Sequence, residues 1–120
     1  MLKKIGVLGI GILFSNLSFA VNCEIIEKLA SKTEAHLIPR WGMSVISPHR
    51  VYFHSAPNDA CKMKDVFIIK NDHVTAYTVY NDGRQDWVSV MYFSQRLGDT
   101  VQGWAKFNAF KKTGTMSPEQ

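Results

Sequence analysis

Histidine and cysteine are scarce in this sequence, which has four histidines and two cysteines among 120 residues. The histidines lack the compact spacing of a zinc site, and His49 and His54 would lie on opposite faces of an extended strand. His54 and Ser55 are adjacent, so in a strand they cannot act together as base and nucleophile. The GxSxG, HExxH and phosphate-binding glycine motifs are also missing. We therefore expect a non-enzymatic protein without metal or cofactor.

Blocks of like charge are missing as well. The formal net charge is +4, but two of the lysines lie in the first twenty residues, and the rest of the chain has twelve basic and ten acidic residues, a net charge of +2. The short basic pairs "KMK" and "KK" are more typical of a solvated surface than of a nucleic-acid interface. We expect no nucleic-acid partner.

No apolar run is long enough to span a membrane. The longest, "IGVLGIGILF", is well short of the roughly 20 residues that a bilayer core requires. It follows Lys3 and Lys4 and precedes small residues at Ser18 and Ala20, which is the pattern of a secretory signal peptide cleaved after Ala20. The residues before Cys23 do not form a lipoprotein signal. The sequence thus predicts export to the periplasm, with residues 1–20 as signal peptide and no membrane span after cleavage.

The two cysteines, Cys23 and Cys61, are predicted to form a disulfide, because an intramolecular bridge is the usual state of a cysteine pair in an exported chain. About 100 mature residues make one small domain, which benefits from such a bridge. Closing a loop of nearly forty residues contributes roughly 3–4 kcal/mol by restricting the unfolded chain.

The mature chain begins with an amphipathic pattern and then changes its period. The segment 21–39 predicts one helix capped by Asn22, with the apolar face Ile25, Ile26, Leu29 and Ala30, ending at Pro39. Residues 40–49 are expected to form a connection with a possible short strand at Met43–Ile46. From Arg50 to residue 110 the period is two, and five runs predict strands: "RVYFHSA", "DVFIIKN", "HVTAYTVY", "DWVSVMYF" and "GWAKF".

The connections between these runs carry their own signals. "NDGRQ", between Tyr80 and Asp86, contains an Asp-Gly step and predicts an antiparallel hairpin. The segment 111–120, "KKTGTMSPEQ", is polar and is expected to be a frayed tail. The fold class is therefore mainly β, with one N-terminal helix before the strands.

The order of these motifs resembles the bacterial SH3-like (SH3b) domains. "RVYFHSAPN" matches the first strand and its turn, "KND" stands where the family usually has Lys-Gly-Asp, and "WVSV" and the closing "GW" match later strands. The resemblance covers residues 50 to about 110 and implies a small SH3-like barrel of about five strands. Asn71 replaces the usual turn glycine, which asparagine tolerates because it adopts a left-handed backbone.

What the resemblance implies is a binding module with a shallow aromatic groove, in which Trp87 occupies the position of a groove aromatic. Aromatic rings with polar tips are enriched at interfaces, but a small domain also needs aromatics for its core. For Trp87 both roles stay open. The predicted ligand-binding residues are Trp87, Tyr52, Tyr80, Tyr92, His54 and Asn58.

Two functions follow as hypotheses. One is a module that recognises a cell-envelope ligand, either peptidoglycan or an envelope protein. The other is a periplasmic immunity or inhibitor protein that blocks a toxin or hydrolase with loop residues such as His54, Asn58, Asp59 or Lys64. The second hypothesis is motivated by the small size of the chain and its predicted disulfide.

Overall fold

Within residues 21–33 and 35–115, the fold is one antiparallel sheet of seven strands with one α-helix. The computed structural model describes residues 21–33 and 35–115. The predicted signal peptide and the last five residues of the predicted tail lie outside the described residues. Within this part of the chain, no helix is long and apolar enough to cross a membrane. The elements are helix α1 Cys23–Thr33 and strands β1 Ala35–Val45, β2 Val51–His54, β3 Lys62–Ile68, β4 His73–Asn81, β5 Asp86–Ser94, β6 Asp99–Lys106 and β7 Phe110–Thr115.

The strands form an open sheet in the order β3-β2-β6-β5-β4-β1-β7. The prediction of a mainly β protein with one helix is confirmed, whereas the predicted count of about five strands is wrong. All five predicted strands are present as β2 to β6, and two more lie outside the predicted range. The sheet has two edges, β3 and β7, so the finer prediction of a closed barrel is not met by this strand order.

The first additional strand, β1, occupies residues predicted to end the helix and form a connection, and its last residues, through Val45, coincide with the short strand predicted at Met43–Ile46. Its alternate positions Leu37, Trp41, Met43 and Val45 all pack in the main core. Pro39 falls in the same alternation, at an irregular part of the strand where the pairing with β4 shifts. The period-two pattern therefore starts at Leu37, and Pro39 marks a break in strand pairing instead of the end of a helix.

The second additional strand, β7, lies in the predicted tail. Phe110 is buried, while the following residues through Thr115 are exposed. The strand pairs with β1, with Val45 opposite Phe110 and Trp41 opposite Thr115. Backbone pairing needs no apolar side chain. A polar sequence can therefore form an edge strand, and the prediction of a frayed segment from residue 111 is wrong as far as Thr115.

Helix α1 begins as predicted, because the Asn22 side-chain Oδ1 accepts a hydrogen bond from the backbone N–H of Ile25 at 3.1 Å. It ends at Thr33, six residues before Pro39. Only part of the predicted apolar face is covered, since Ala30 is fully buried while Ile25 is 54% exposed. The helix therefore rests on the sheet along a narrow line.

The buried residues form two groups. The main core contains Phe53, Met43, Val88 and Val90. A smaller group, which we call the tryptophan cluster, consists of Ala30, Trp87 and Trp104 with Tyr80 packed against it. It lies beneath α1, so α1 has its own separate set of core partners.

Three further contacts hold the helix in place. The predicted disulfide joins Cys23 at the start of α1 to Cys61, with the two Cα atoms 5.9 Å apart. The Trp104 indole N–H donates a hydrogen bond to the Glu27 carboxylate. Ala30 supplies the apolar contact. The disulfide therefore ties α1 to the loop between β2 and β3, as the sequence predicted.

The predicted hairpin between β4 and β5 is confirmed, with Asn81 opposite Asp86. Gly83 has φ of 94°, a value that favours glycine. Asp82 organises this turn because its Oδ1 accepts the backbone N–H groups of Arg84 and Gln85 at 2.8 and 2.9 Å. The Asp-Gly step therefore forms the turn that the sequence indicated.

At the other predicted turn, Asn71 has φ of 78° between β3 and β4. Asp72 supports this turn by accepting the Ile69 N–H at 2.8 Å. The left-handed conformation predicted for Asn71 is thus confirmed.

Candidate anion-binding cleft

A cleft of about 540 Å³ opens at one edge of the sheet. Strand pairing forms it, because His54 of β2 pairs with Lys62 of β3 on one side and with Trp104 of β6 on the other. Residues before β2 and after β6 complete the rim. The cleft is lined by Ser47, His49, Arg50, Val51, Tyr52, His54, Asp59, Lys62, Lys106, Asn108 and Ala109.

The lining carries more positive than negative charge. Arg50, Lys62 and Lys106 contribute three cations, and Asp59 contributes one carboxylate. Lys106 Nζ lies 2.9 Å from Asp59 Oδ1, and this contact lowers the pKa of Asp59 below its ordinary value. Two cations remain without a carboxylate among the lining side chains, so the cleft is suited to an anionic ligand.

Two of the cations are held against aromatic rings in a row that we call the cation–ring ladder: Lys62, Tyr52, Phe67 and Arg50. Lys62 Nζ lies 4.7 Å from the centroid of the Tyr52 ring, and Arg50 Cζ lies 4.3 Å from that of Phe67. The two rings are 5.6 Å apart. Cations at such distances from a ring face are attracted to it. The ladder thus fixes both cations before a ligand arrives and reduces the conformational entropy lost on binding.

His54 lies at the floor of the cleft and is 6% exposed. Its Nδ1 is 3.1 Å from the backbone oxygen of Trp104. A carbonyl oxygen only accepts, so the neutral ring carries its hydrogen on Nδ1. The ring also meets Trp87 edge to face at 4.9 Å. Burial lowers the pKa of His54, against the opposing effects of the Trp104 hydrogen bond and the Asp59 charge.

Asn58 and Cys61 hold the loop beside the cleft in place. Asn58 Oδ1 accepts the backbone N–H of Ala60 at 2.8 Å and caps the short 3-10 helix Asp59–Cys61. Cys61 is buried and disulfide-bonded. The Asn58 oxygen therefore serves the turn, while the Asp59 side chain remains 69% exposed.

The structure places Trp87 in the core and not in the groove. The residue has no exposed surface, and its indole N–H donates a hydrogen bond to Asp82 Oδ2 at 3.0 Å. A fully buried ring offers no surface to a ligand in this conformation. Of the two roles left open by the sequence, packing is the one observed.

The other predicted binding residues lie in three different places. Tyr52 and His54 share the cleft, and Asn58 lies in the adjacent loop. Tyr80 is half-buried against Trp104 in the tryptophan cluster, with ring centroids 6.3 Å apart. Tyr92 borders a second cavity, described below. The six residues therefore do not form one aromatic groove.

Sequence reasoning missed the three cleft cations. Arg50, Lys62 and Lys106 are far apart in the chain, and Lys62 belongs to the "KMK" pair that was assigned to solvated surface. Only the pairing of β2 with both β3 and β6 brings them together. A signal was available at Arg50 and Tyr52, because an arginine and an aromatic two positions apart in a strand share a face.

The cationic side chains of the cleft can bind an anion. Ammonium and guanidinium groups donate charge-assisted hydrogen bonds to carboxylates and phosphates. Within residues 21–33 and 35–115, no three His, Cys, Asp or Glu side chains are placed to hold a metal ion together. Comparisons with protein-family models, curated proteins and solved structures gave no match. The SH3-like resemblance therefore stays a prediction.

Proposed function

We propose that this chain is an exported, non-catalytic binding module that recognises an anionic cell-envelope ligand, peptidoglycan or an envelope protein, through the cleft. The observation that carries the proposal is the excess of fixed cations around Tyr52 and His54. Both Lys62 and Arg50 are positioned by rings, and Lys106 is positioned by Asp59. A ligand carboxylate can therefore be bound by groups that are already in place.

The compartment of the proposed function rests on two features of the chain. The first is the predicted signal peptide. The second is the disulfide between Cys23 and Cys61, a bond that persists in oxidising compartments such as the periplasm. Peptidoglycan stem peptides carry free carboxylates, and many envelope proteins expose acidic segments, so both ligand classes offer the charge that the cleft favours.

The test is co-sedimentation of the mature, oxidised protein with isolated bacterial cell envelopes. Native protein should bind saturably. Lys62→Glu should weaken binding at least tenfold, because it replaces a cation of the ladder with a negative charge that repels an anionic ligand. Lys111→Glu is the matched control, since it makes the same charge change at an exposed position of β7 that does not line the cleft. Equal binding of native protein and Lys62→Glu would contradict the proposal, as would a native protein that stays in the supernatant.

The fixed loop favours a second candidate function, an immunity or inhibitor protein. Residues 55–62 are held by the disulfide and the Asn58 cap, and they present the exposed Asp59 carboxylate beside the cleft. A rigid loop loses little entropy when it inserts into a partner's active site.

For this second function, a one-to-one complex with a wall-degrading enzyme is expected. Asp59→Lys should weaken that complex, while Lys111→Glu should leave it unchanged. Titration calorimetry against purified wall hydrolases measures both effects. Asp59→Lys binding as tightly as the native protein would count against a loop-based inhibitor.

A further inference from the structure

Four large apolar side chains lie on the surface near the cleft, and we call them the apolar patch: Phe67, Ile69, Phe93 and Leu97. Their exposed fractions are 37%, 52%, 56% and 55%. Phe67, Ile69 and Phe93 border a second cavity of about 510 Å³, and Leu97 lines a small adjoining one. Clustered exposed apolar side chains are typical of interaction sites in small soluble domains.

The apolar patch is continuous with the cleft through the cation–ring ladder. Phe67 belongs to both, because it borders the second cavity and packs against Tyr52 of the cleft at 5.6 Å. Arg50 lies over the same Phe67 ring and lines the cleft. A ligand bound between Lys62 and Arg50 therefore reaches the patch at the Phe67 ring.

The two ends of this surface differ in charge. Three cations and one carboxylate line the cleft. At the patch, Arg96 borders both cavities, with Asp72 at the second cavity and Asp65 at the adjoining one, so cations are not in excess there. One end thus favours acidic groups and the other favours large apolar groups.

Resting on the proposed function, we infer that the envelope ligand is a polypeptide segment with acidic side chains at one end and large apolar side chains at the other. The acidic side chains bind Lys62 and Arg50, and the apolar side chains cover Phe67 and Phe93. Peptidoglycan supplies carboxylates and alanine methyl groups but no large apolar side chain. Peptidoglycan can therefore bind the cations of the cleft, but it leaves the apolar patch exposed to solvent.

The experiment selects random twelve-residue peptides displayed on phage against the mature, oxidised protein. The enriched peptides should combine at least two acidic with at least two large apolar residues. Titration of one such synthetic peptide should show at least tenfold weaker binding for Lys62→Glu and, separately, for Phe93→Ser, with Lys111→Glu unchanged. Phe93 is an exposed position of β5, and circular dichroism with a urea titration verifies that Phe93→Ser stays folded.

Several outcomes would overturn the inference. One is that no peptide is enriched, and another is that enriched peptides bind Phe93→Ser as tightly as the native protein. A third is that sedimentation velocity finds native dimers that Phe93→Ser abolishes, which would make a second copy the occupant of the patch. If purified peptidoglycan sacculi bind with dependence on Lys62 but not on Phe93, the inference fails and the proposed function stands. If envelope binding is insensitive to Lys62→Glu, the proposed function itself fails.

Discussion

Replacing both cysteines, as Cys23→Ser with Cys61→Ser, should lower the free energy of unfolding by about 4 kcal/mol. The two residues are 38 positions apart in the chain. In the chain-entropy description, a closed loop of that length removes about 13 cal/mol/K from the unfolded ensemble, which is about 4 kcal/mol at 25 °C. A chain of this size rarely has more than about 15 kcal/mol of stability in total, so the loss is a large part of it.

The assay is urea unfolding of the mature protein followed by tryptophan fluorescence. With an m-value of about 2 kcal/mol/M, the transition midpoint should fall by about 2 M. Treating the native protein with a thiol reductant should reproduce the same shift, which controls for the serine side chains. The tryptophan cluster should also become accessible to an iodide quencher, because α1, which packs against Trp87 and Trp104, then loses its covalent bond to the loop before β3. A stability loss below about 1 kcal/mol would refute this reasoning.

Three further predictions concern buried positions. Trp87→Ala should lower the free energy of unfolding by about 3–5 kcal/mol, because it leaves a cavity at a fully buried position. A urea titration that finds unchanged stability would contradict a packing role for Trp87 and favour a role in ligand binding. Burial lowers the pKa of His54 in the folded protein, so as the pH falls His54 is protonated in the unfolded chain before it is protonated in the folded one. The free energy of unfolding should therefore decline as the pH falls below about 6.5 and level off below the folded pKa of His54. His54→Gln should show a shallower decline between pH 7.5 and 5, and an identical slope would exclude His54 as the cause. Gly103→Ala should lower the free energy of unfolding by about 1–3 kcal/mol, since the new Cβ would lie 3.0 Å from Phe53 Cβ and 3.1 Å from the backbone oxygen of His54. Thermal unfolding measures this loss, and an unchanged melting temperature would show that the surrounding atoms move to accommodate the methyl group.

The predictable parts of the fold are those whose signal is local. Asn22 as a helix cap, the Asp-Gly step before Arg84 and the left-handed Asn71 each depend on a few neighbouring residues, and all three are confirmed. The strands β2 to β6 lie in runs rich in β-branched and aromatic residues that Pro, Asn, Asp and Gly separate. The disulfide followed from the expected compartment and from the presence of a single possible pair.

The missed parts depend on contacts between distant segments. Strand β1 was hidden by Pro39, which ended the apparent helix although the alternation from Leu37 to Val45 was already in the sequence. Strand β7 is polar after Phe110, and its backbone pairing with β1 holds it in the sheet. Its side chains therefore have no pattern from which a strand could be predicted. A small barrel of about five strands is what the SH3-like resemblance implies, and that resemblance covers residues 50 to about 110, which leaves out β1 and most of β7.

Only some residues of the candidate site could be predicted from the sequence. Tyr52 is predicted as an aromatic ring with a polar tip, and His54 as one of the residues with which an inhibitor would contact its partner. The cations that give the cleft its charge are the residue before β2, the first residue of β3 and the last residue of β6, and sheet pairing brings them together. Trp87 shows the opposite case, since its role was decided by a helix that covers it from another part of the chain.

The measurement that tests the central claim most directly is an amide NMR titration of the mature, oxidised protein with its envelope ligand. Two titrants are used in parallel, soluble peptidoglycan fragments and an acidic peptide with apolar anchors. The cleft account predicts the largest shift changes at Arg50, Tyr52, Lys62 and Lys106 for the titrant that binds. Shift changes clustered on α1 or β7, or none with either titrant, would contradict the cleft as the binding site.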